Sequence, residues 1–150
     1  MPFNSGKQFM RPDIHIANLP VTVSSDLLNV LWFHMAEHQQ ALNEVSGITY
    51  NFRDPDYSPE YGGYHPVEIR LDKRGHTWHF AYVTDFAYVG VGAYAELVKE
   101  LDFDFSCQVF SHNAFGLLSE KSLNEWFQLW QENFLNYYAQ QSYTVSVSFD

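Results

Sequence analysis

Cysteine is nearly missing: Cys107 is the only one in 150 residues. No intramolecular disulfide can form, which fits a reducing compartment. Basic residues are scarce too, with eight Lys and Arg against eighteen Asp and Glu, a net charge of −10. Such a field repels nucleic acid and anionic membranes and favours basic partners or cations, while also serving solubility. No apolar run nears the ~20 residues that a membrane helix needs. Met1 to Met10 contain no apolar signal core, so the expectation is a cytoplasmic, bacterial-type protein without a signal peptide. Chemical motifs are thin as well. There is no Gly-x-Ser-x-Gly, and Gly90-Val91-Gly92 lacks the third glycine and following helix of a dinucleotide fingerprint.

Aromatics are plentiful, 18% of residues against 17% charged. They can dominate a core, and at this length the chain is expected to form one domain, 1–150, burying about 68–70% of its unfolded surface. Residues 1–13, punctuated by Pro2, Gly6 and Pro12, read as a mobile arm or edge segment, and 14–23, broken up by His15, Asn18 and Pro20, as a stretch with room for a short edge strand. Ser24 or Ser25 caps a first helix over 25–46, with Leu27, Leu31, His34, His38, Leu42 and Val45 at helical spacing and Gly47 closing it. Ile48, Tyr50 and Phe52 alternate with polar residues, as do Val67, Ile69 and Leu71, giving two half-buried strands. Trp78, Phe80 and Tyr82 share a face of a third, over 76–88. Residues 93–100 lean to strand, and Leu101 to Val109 is a clear period-two run with Cys107 in it. Ser122 and Glu125 form a capping-box pattern for a second helix over 119–141, and Tyr143 to Phe149 alternates as a last strand. The fold class expected is α+β: a twisted antiparallel sheet with an N-terminal and a C-terminal long helix on one face and a final C-terminal strand.

His34-Met35-Ala36-Glu37-His38 matches H-x-x-E-H, which on one helix face would set two zinc ligands beside a general base. The same histidines lie on the apolar stripe, where they read equally as boundary residues of the core. His76 and His79 fall on opposite faces of a strand, and His15 and His112 are isolated. Asp85 reads as a strand-end residue capping a turn, or as an acid. No complete catalytic set stands out, and no cofactor is expected.

The densest special chemistry is the loop from Arg53 to Pro66, which holds three prolines, two glycines, three tyrosines and three carboxylates. An EF-hand loop beginning at Asp54 would need Gly at its sixth position and Glu at its twelfth; Pro59 and His65 stand there instead. Asp as local cap, Pro as preset φ and Gly62-Gly63 as positive-φ positions explain it as turn chemistry, with Arg53 and Arg70 available to pair its carboxylates. Tyr57, Tyr61 and Tyr64, with Asp54, Asp56 and Glu60, otherwise read as a binding surface.

Three stretches carry a resemblance: Arg53-Asp54-x-Asp56-Tyr57-Ser58-x-Glu60-x-Gly62-Gly63-Tyr64-His65-Pro66-Val67-Glu68-Ile69-Arg70, Tyr82 to Gly90, and Leu101-Asp102-Phe103-Asp104-Phe105. With Trp130-Gln131-x-Asn133-Phe134 they make the chain resemble a bacterial domain-of-unknown-function family, label 2787, from about Leu19 to near the C-terminus. The family carries no assigned activity, so the resemblance transfers no catalytic residue. It implies a fold similar to the acidic mitochondrial matrix protein family (the globular-head complement receptor), whose members form acidic ring trimers that bind proteins. This chain departs from that pattern in ending on a strand.

The functional expectation is a non-enzymatic acidic interaction protein, self-associating, that binds protein partners, basic ones included, through Asp54, Asp56, Tyr57, Glu60, Tyr61 and Tyr64. The alternatives are a zinc hydrolase using His34, Glu37 and His38, and a small-ligand site in the cup of the sheet near Trp78, Tyr82 and Asp85.

Overall fold

The computed structural model describes residues 9–150. Most of the expected N-terminal arm therefore lies outside the described residues. From Phe9 onward the chain packs against the core, and Trp32 Nε1 donates to Pro12 O at 2.8 Å.

Strand β1, Asp13–His15, is followed by helix α1, Ser25–Ala36. Ser24 caps α1, its hydroxyl accepting from Leu27 N at 3.1 Å, and Asp26 lies in the positive first turn. Leu27, Leu31 and Met35 recur at helical spacing and are fully buried. The helix is ten residues shorter than its periodicity suggests. Beyond Ala36 the chain steps in three-residue turns, His38 N to Met35 O and Ala41 N to His38 O. These turns carry Leu42 into the core, and Lys73 Nζ takes the Leu42 carbonyl at 2.9 Å. Tertiary capture thus outweighs the helical propensity of Glu37 to Leu42.

Strands β2 (Gly47–Arg53), β3 (Val67–Arg74), β4 (Thr77–Val89), β5 (Glu96–Asp104), β6 (Val109–His112) and β7 (Gly116–Leu117) follow, then helix α2 (Glu120–Ala139) and strand β8 (Thr144–Phe149). The sheet order is β7-β6-β5-β4-β3-β2-β8. Every neighbouring pair is antiparallel, and β1 adds a parallel pairing to the first residues of β4. Both helices cover one face, as expected. Tyr50 on β2 donates its hydroxyl to Leu31 O of α1 at 3.1 Å, and the Phe52 ring meets His34 of α1 at 6.2 Å and Phe134 of α2 at 4.9 Å. Burial drives the Tyr50 hydroxyl well above the ordinary tyrosine range.

Two register shifts re-aim side chains. Between β3 and β4, Arg70 faces Tyr82 and Leu71 faces Phe80, so Ala81 is an extra residue. Trp78 and Phe80 point inward, whereas Tyr82, expected on their face, turns outward and donates to Glu68. Between β4 and β5, Asp85 faces Leu101 and Phe86 faces Lys99, which leaves Glu100 without an opposite residue. Such bulges cannot be read from alternation alone.

The period-two run from Leu101 to Val109 is not one strand. Asp104 Oδ1 accepts from Cys107 N at 3.0 Å and from Ser106 Oγ at 2.9 Å, closing a turn in which Gln108 has φ 56°. Local side-chain capture of the backbone wins over alternation. Cys107, expected mid-strand, is exposed in that turn. In 93–100, a single 3₁₀ turn, Gly92–Tyr94, precedes β5, which starts at Glu96. Helix α2 is capped by Ser119 rather than Ser122, the Ser119 hydroxyl accepting from Ser122 N. Arg70 pairs with Asp72 and Asp150 on the outer face instead of with the loop carboxylates.

Candidate functional site

The loop after β2 is built from its base upward. Asp54 Oδ1 accepts from Asp56 N at 2.9 Å, and its Oδ2 accepts from Tyr64 N at 3.0 Å, tying the two ends of the loop together. Gly63, at φ 136°, lies so close that a Cβ there would stand 2.7 Å from Asp54 Oδ2. Between these ends Ser58 and Gly62 exchange backbone hydrogen bonds of 3.2 and 2.9 Å, and Ser58 Oγ accepts from Tyr61 N at 3.0 Å. Pro59, Glu60 and Tyr61 are therefore the tip of a miniature hairpin, with Gly62 at φ 73°.

The six loop residues singled out from sequence separate into two groups. Asp56, Glu60 and Tyr61 are exposed, Tyr61 to 88%. Asp54 is spent on the backbone. Tyr57 stacks on Tyr88 at 5.1 Å and lies 5.6 Å from His65, and its hydroxyl accepts from Tyr88 N at 3.0 Å. Tyr64 packs on Tyr137 of α2 at 4.5 Å.

Beneath the loop is a cleft of about 340 Å³ between the inner face of the sheet and the stretch of α2 from Trp126 to Tyr137. Its polar floor is His65, Asp85 and Glu100, and its walls include Tyr64, Trp130 and Tyr143. The bulge at Glu100 brings that carboxylate to the same place as Asp85. His65 Nδ1 lies 2.8 Å from Asp85 Oδ1 and 3.1 Å from Glu100 Oε2. The side chains are 40%, 18% and 32% exposed, in the order His65, Asp85, Glu100. The hydrogen bond to Asp85 raises the His65 pKa against an opposing effect of burial, with further help from the charges of Asp85 and Glu100. Burial raises the Asp85 carboxyl, opposed by His65 and reinforced by Glu100. Glu100 Oε2 and Trp130 Nε1 are buried without a hydrogen-bond partner among the described residues. His112 Nδ1 accepts from Ala114 N at 3.0 Å, so its Nε2 carries the proton; Nε2 stands 3.9 Å from Glu100 Oε1.

A second groove, of about 660 Å³, lies beside Leu19, Phe105, Phe110 and Leu117. It is the larger, but apart from Glu120 at its edge it gathers no charged group, so the smaller cleft holds the chemistry.

The H-x-x-E-H pattern is dispersed. His34 and His38 are not on one helix face, because α1 stops at Ala36. Both ring nitrogens of His34 are engaged, Nδ1 with Glu37 at 2.9 Å and Nε2 with the Tyr138 hydroxyl at 2.8 Å, and His38 packs edge-on against Phe149. The three residues expected to mark a cup also part company. Asp85 lines the cleft, Trp78 borders a different depression, and Tyr82 faces the other side of the sheet. Asp85 is mid-strand, not at a strand end. Sequence reasoning missed Glu100, the role of His65 and the approach of His112. His65 and Asp85 do fall inside the stretches that carry the family resemblance, which was the available signal.

Two solved structures from Vibrio cholerae are similar to this chain in fold. The hypothetical protein VC0508 of the VSP-II pathogenicity island matches with a TM-score of 0.81 and 31% identity, over 92% of this chain and 100% of its own. The conserved hypothetical protein VC1805 of pathogenicity island VPI-2, reported to share structural homology with the human P32 protein, matches with a TM-score of 0.74 and 34% identity, over 85% of this chain and 95% of its own. The model of the family "Protein of unknown function (DUF2787)" matches residues 25–148. No curated protein matches the chain.

Proposed function

We propose a partner-binding role for this chain, which belongs to the DUF2787 family: the tip of its 54–66 loop docks a basic segment of another protein. The observation that carries the proposal is the exposure of Glu60 and Tyr61 on a hairpin tip, with exposed Asp56 beside it, in a loop whose base is locked by Asp54. A tip already ordered loses little conformational freedom on binding. Tyrosine supplies contact area at low entropic cost, and two carboxylates on a chain of net charge −10 steer a basic partner. The reported likeness of VC1805 to the human P32 protein is in keeping with the protein-binding habit that the sequence resemblance implies. Self-association belongs to the same proposal, because Val109, Phe115 and Leu117 are exposed around the β6–β7 edge of the sheet.

The test is quantitative co-purification from cells by the wild type and by an Asp56→Lys, Glu60→Lys double variant, at low and high salt. Partners retained by the wild type at low salt are expected to be lost from the variant and weakened by salt. An unchanged set of partners refutes the docking assignment. Sedimentation velocity tests self-association, and a monomer at every concentration refutes it.

A further inference from the structure

We propose that His65, Asp85 and Glu100 form a divalent transition-metal site at the floor of the cleft. It stands apart from the loop-tip reading, since none of the three is among the exposed tip residues.

Three elements converge on it. His65 ends the Asp54-locked loop, Asp85 is on the inner face of β4, and Glu100 is the bulged residue of β5. One ligand atom from each lies within 4.8 Å of the other two. A metal with bonds of about 2.0–2.2 Å holds adjacent donor atoms roughly 2.9–3.5 Å apart. His65 Nδ1 is already 2.8 Å from Asp85 Oδ1 and 3.1 Å from Glu100 Oε2. The donor set is therefore collected before any ion enters.

The hydrogen-bond inventory points to an occupant as well. His65 Nδ1 makes its hydrogen bond to only one of the two carboxylates. It bonds to Asp85, and Glu100 Oε2 is left buried with no hydrogen bond. A buried acceptor without a donor is costly, and a cation bridging all three groups removes that cost. His112 lies beside the arrangement without being a ligand. Its Nδ1 is occupied by the Ala114 N–H, and its Nε2 stands 3.9 Å from the far oxygen of Glu100, beyond hydrogen-bond reach. One imidazole and two carboxylates leave coordination positions open towards the cleft. The ligand types suit zinc, iron(II) and manganese(II), with zinc bound more tightly than manganese.

The probe is zinc added to chelator-stripped protein, followed by calorimetry and elemental analysis. One equivalent of zinc is expected. Binding weakens about 100-fold in His65→Ala and in the isosteric Glu100→Gln. It is unchanged in His38→Ala, which removes the histidine of the dispersed pattern. Manganese(II) added to labelled wild-type protein broadens the amide signals of His65, Asp85 and Leu101 before those of His38, and this readout needs no variant to fold. Absence of stoichiometric zinc, zinc binding indifferent to His65 and Glu100, or broadening centred elsewhere overturns the proposal.

Discussion

Replacing Asp54 by alanine removes one side chain and leaves two backbone donors, Asp56 N and Tyr64 N, without their acceptor. Hydrogen bonds to a charged acceptor contribute roughly 1.5–3 kcal/mol each. Asp54 is half-buried, so water replaces part of the loss, and the net cost comes to about 2 kcal/mol. For a chain of this size that lowers Tm by roughly 4–8 °C. The assay is urea denaturation, where the midpoint falls and the slope m stays constant, combined with hydrogen exchange at the two amides. Exchange at Tyr64 N accelerates most, because its bond closes the loop. Gly63→Ala supplies an internal check. It strains a φ of 136° and drives a Cβ towards the same carboxylate, so it disturbs one unit with Asp54. The double variant is accordingly less destabilised than the sum of the singles. Stability within about 0.5 kcal/mol of wild type, with both amides still protected, would show that the carboxylate does not lock the loop.

Tyr50→Phe strips a buried hydroxyl from Leu31 O and costs about 1 kcal/mol, whereas Phe52→Ala opens the contact of both helices with the sheet and costs about 3–5 kcal/mol; denaturant titration separates them. Ser119→Ala costs about 1 kcal/mol by removing the cap of α2, while Ser122→Ala stays within about 0.5 kcal/mol. At Asp104, burial raises the carboxyl but is outweighed by hydrogen bonds from Cys107 and Ser106, so its pKa lies below the ordinary value. Its stabilising effect is therefore present above about pH 4 and lost as pH falls through the folded pKa. In Asp104→Asn the acid limb of the stability profile becomes shallower, as thermal melts between about pH 2 and 5 will read.

The fold class was legible because burial follows the two periods directly. Leu27, Leu31 and Met35 mark α1, and Ile48, Tyr50 and Phe52 mark β2, and all six are fully buried. Boundaries were less legible where a side chain captures the backbone, as Asp104 does at Cys107 and Lys73 does at Leu42. The cleft was the least legible part. Its floor depends on a bulge that turns Glu100 towards Asp85, and alternation assigns neighbouring strand residues to opposite faces. Asp85 was visible as an acid and His65 only as a loop residue; their meeting across 20 positions is a property of the sheet register.

The most direct test of the loop-tip reading is site-specific photo-crosslinking in cells. A photoreactive phenylalanine analogue replaces Tyr61 in one strain and Leu97, also exposed, in another. Crosslinks from position 61 to a basic protein segment, absent from position 97, are the expected result. Equal crosslinking from both positions, or none from position 61, would contradict the claim that the loop tip is where this protein meets its partner.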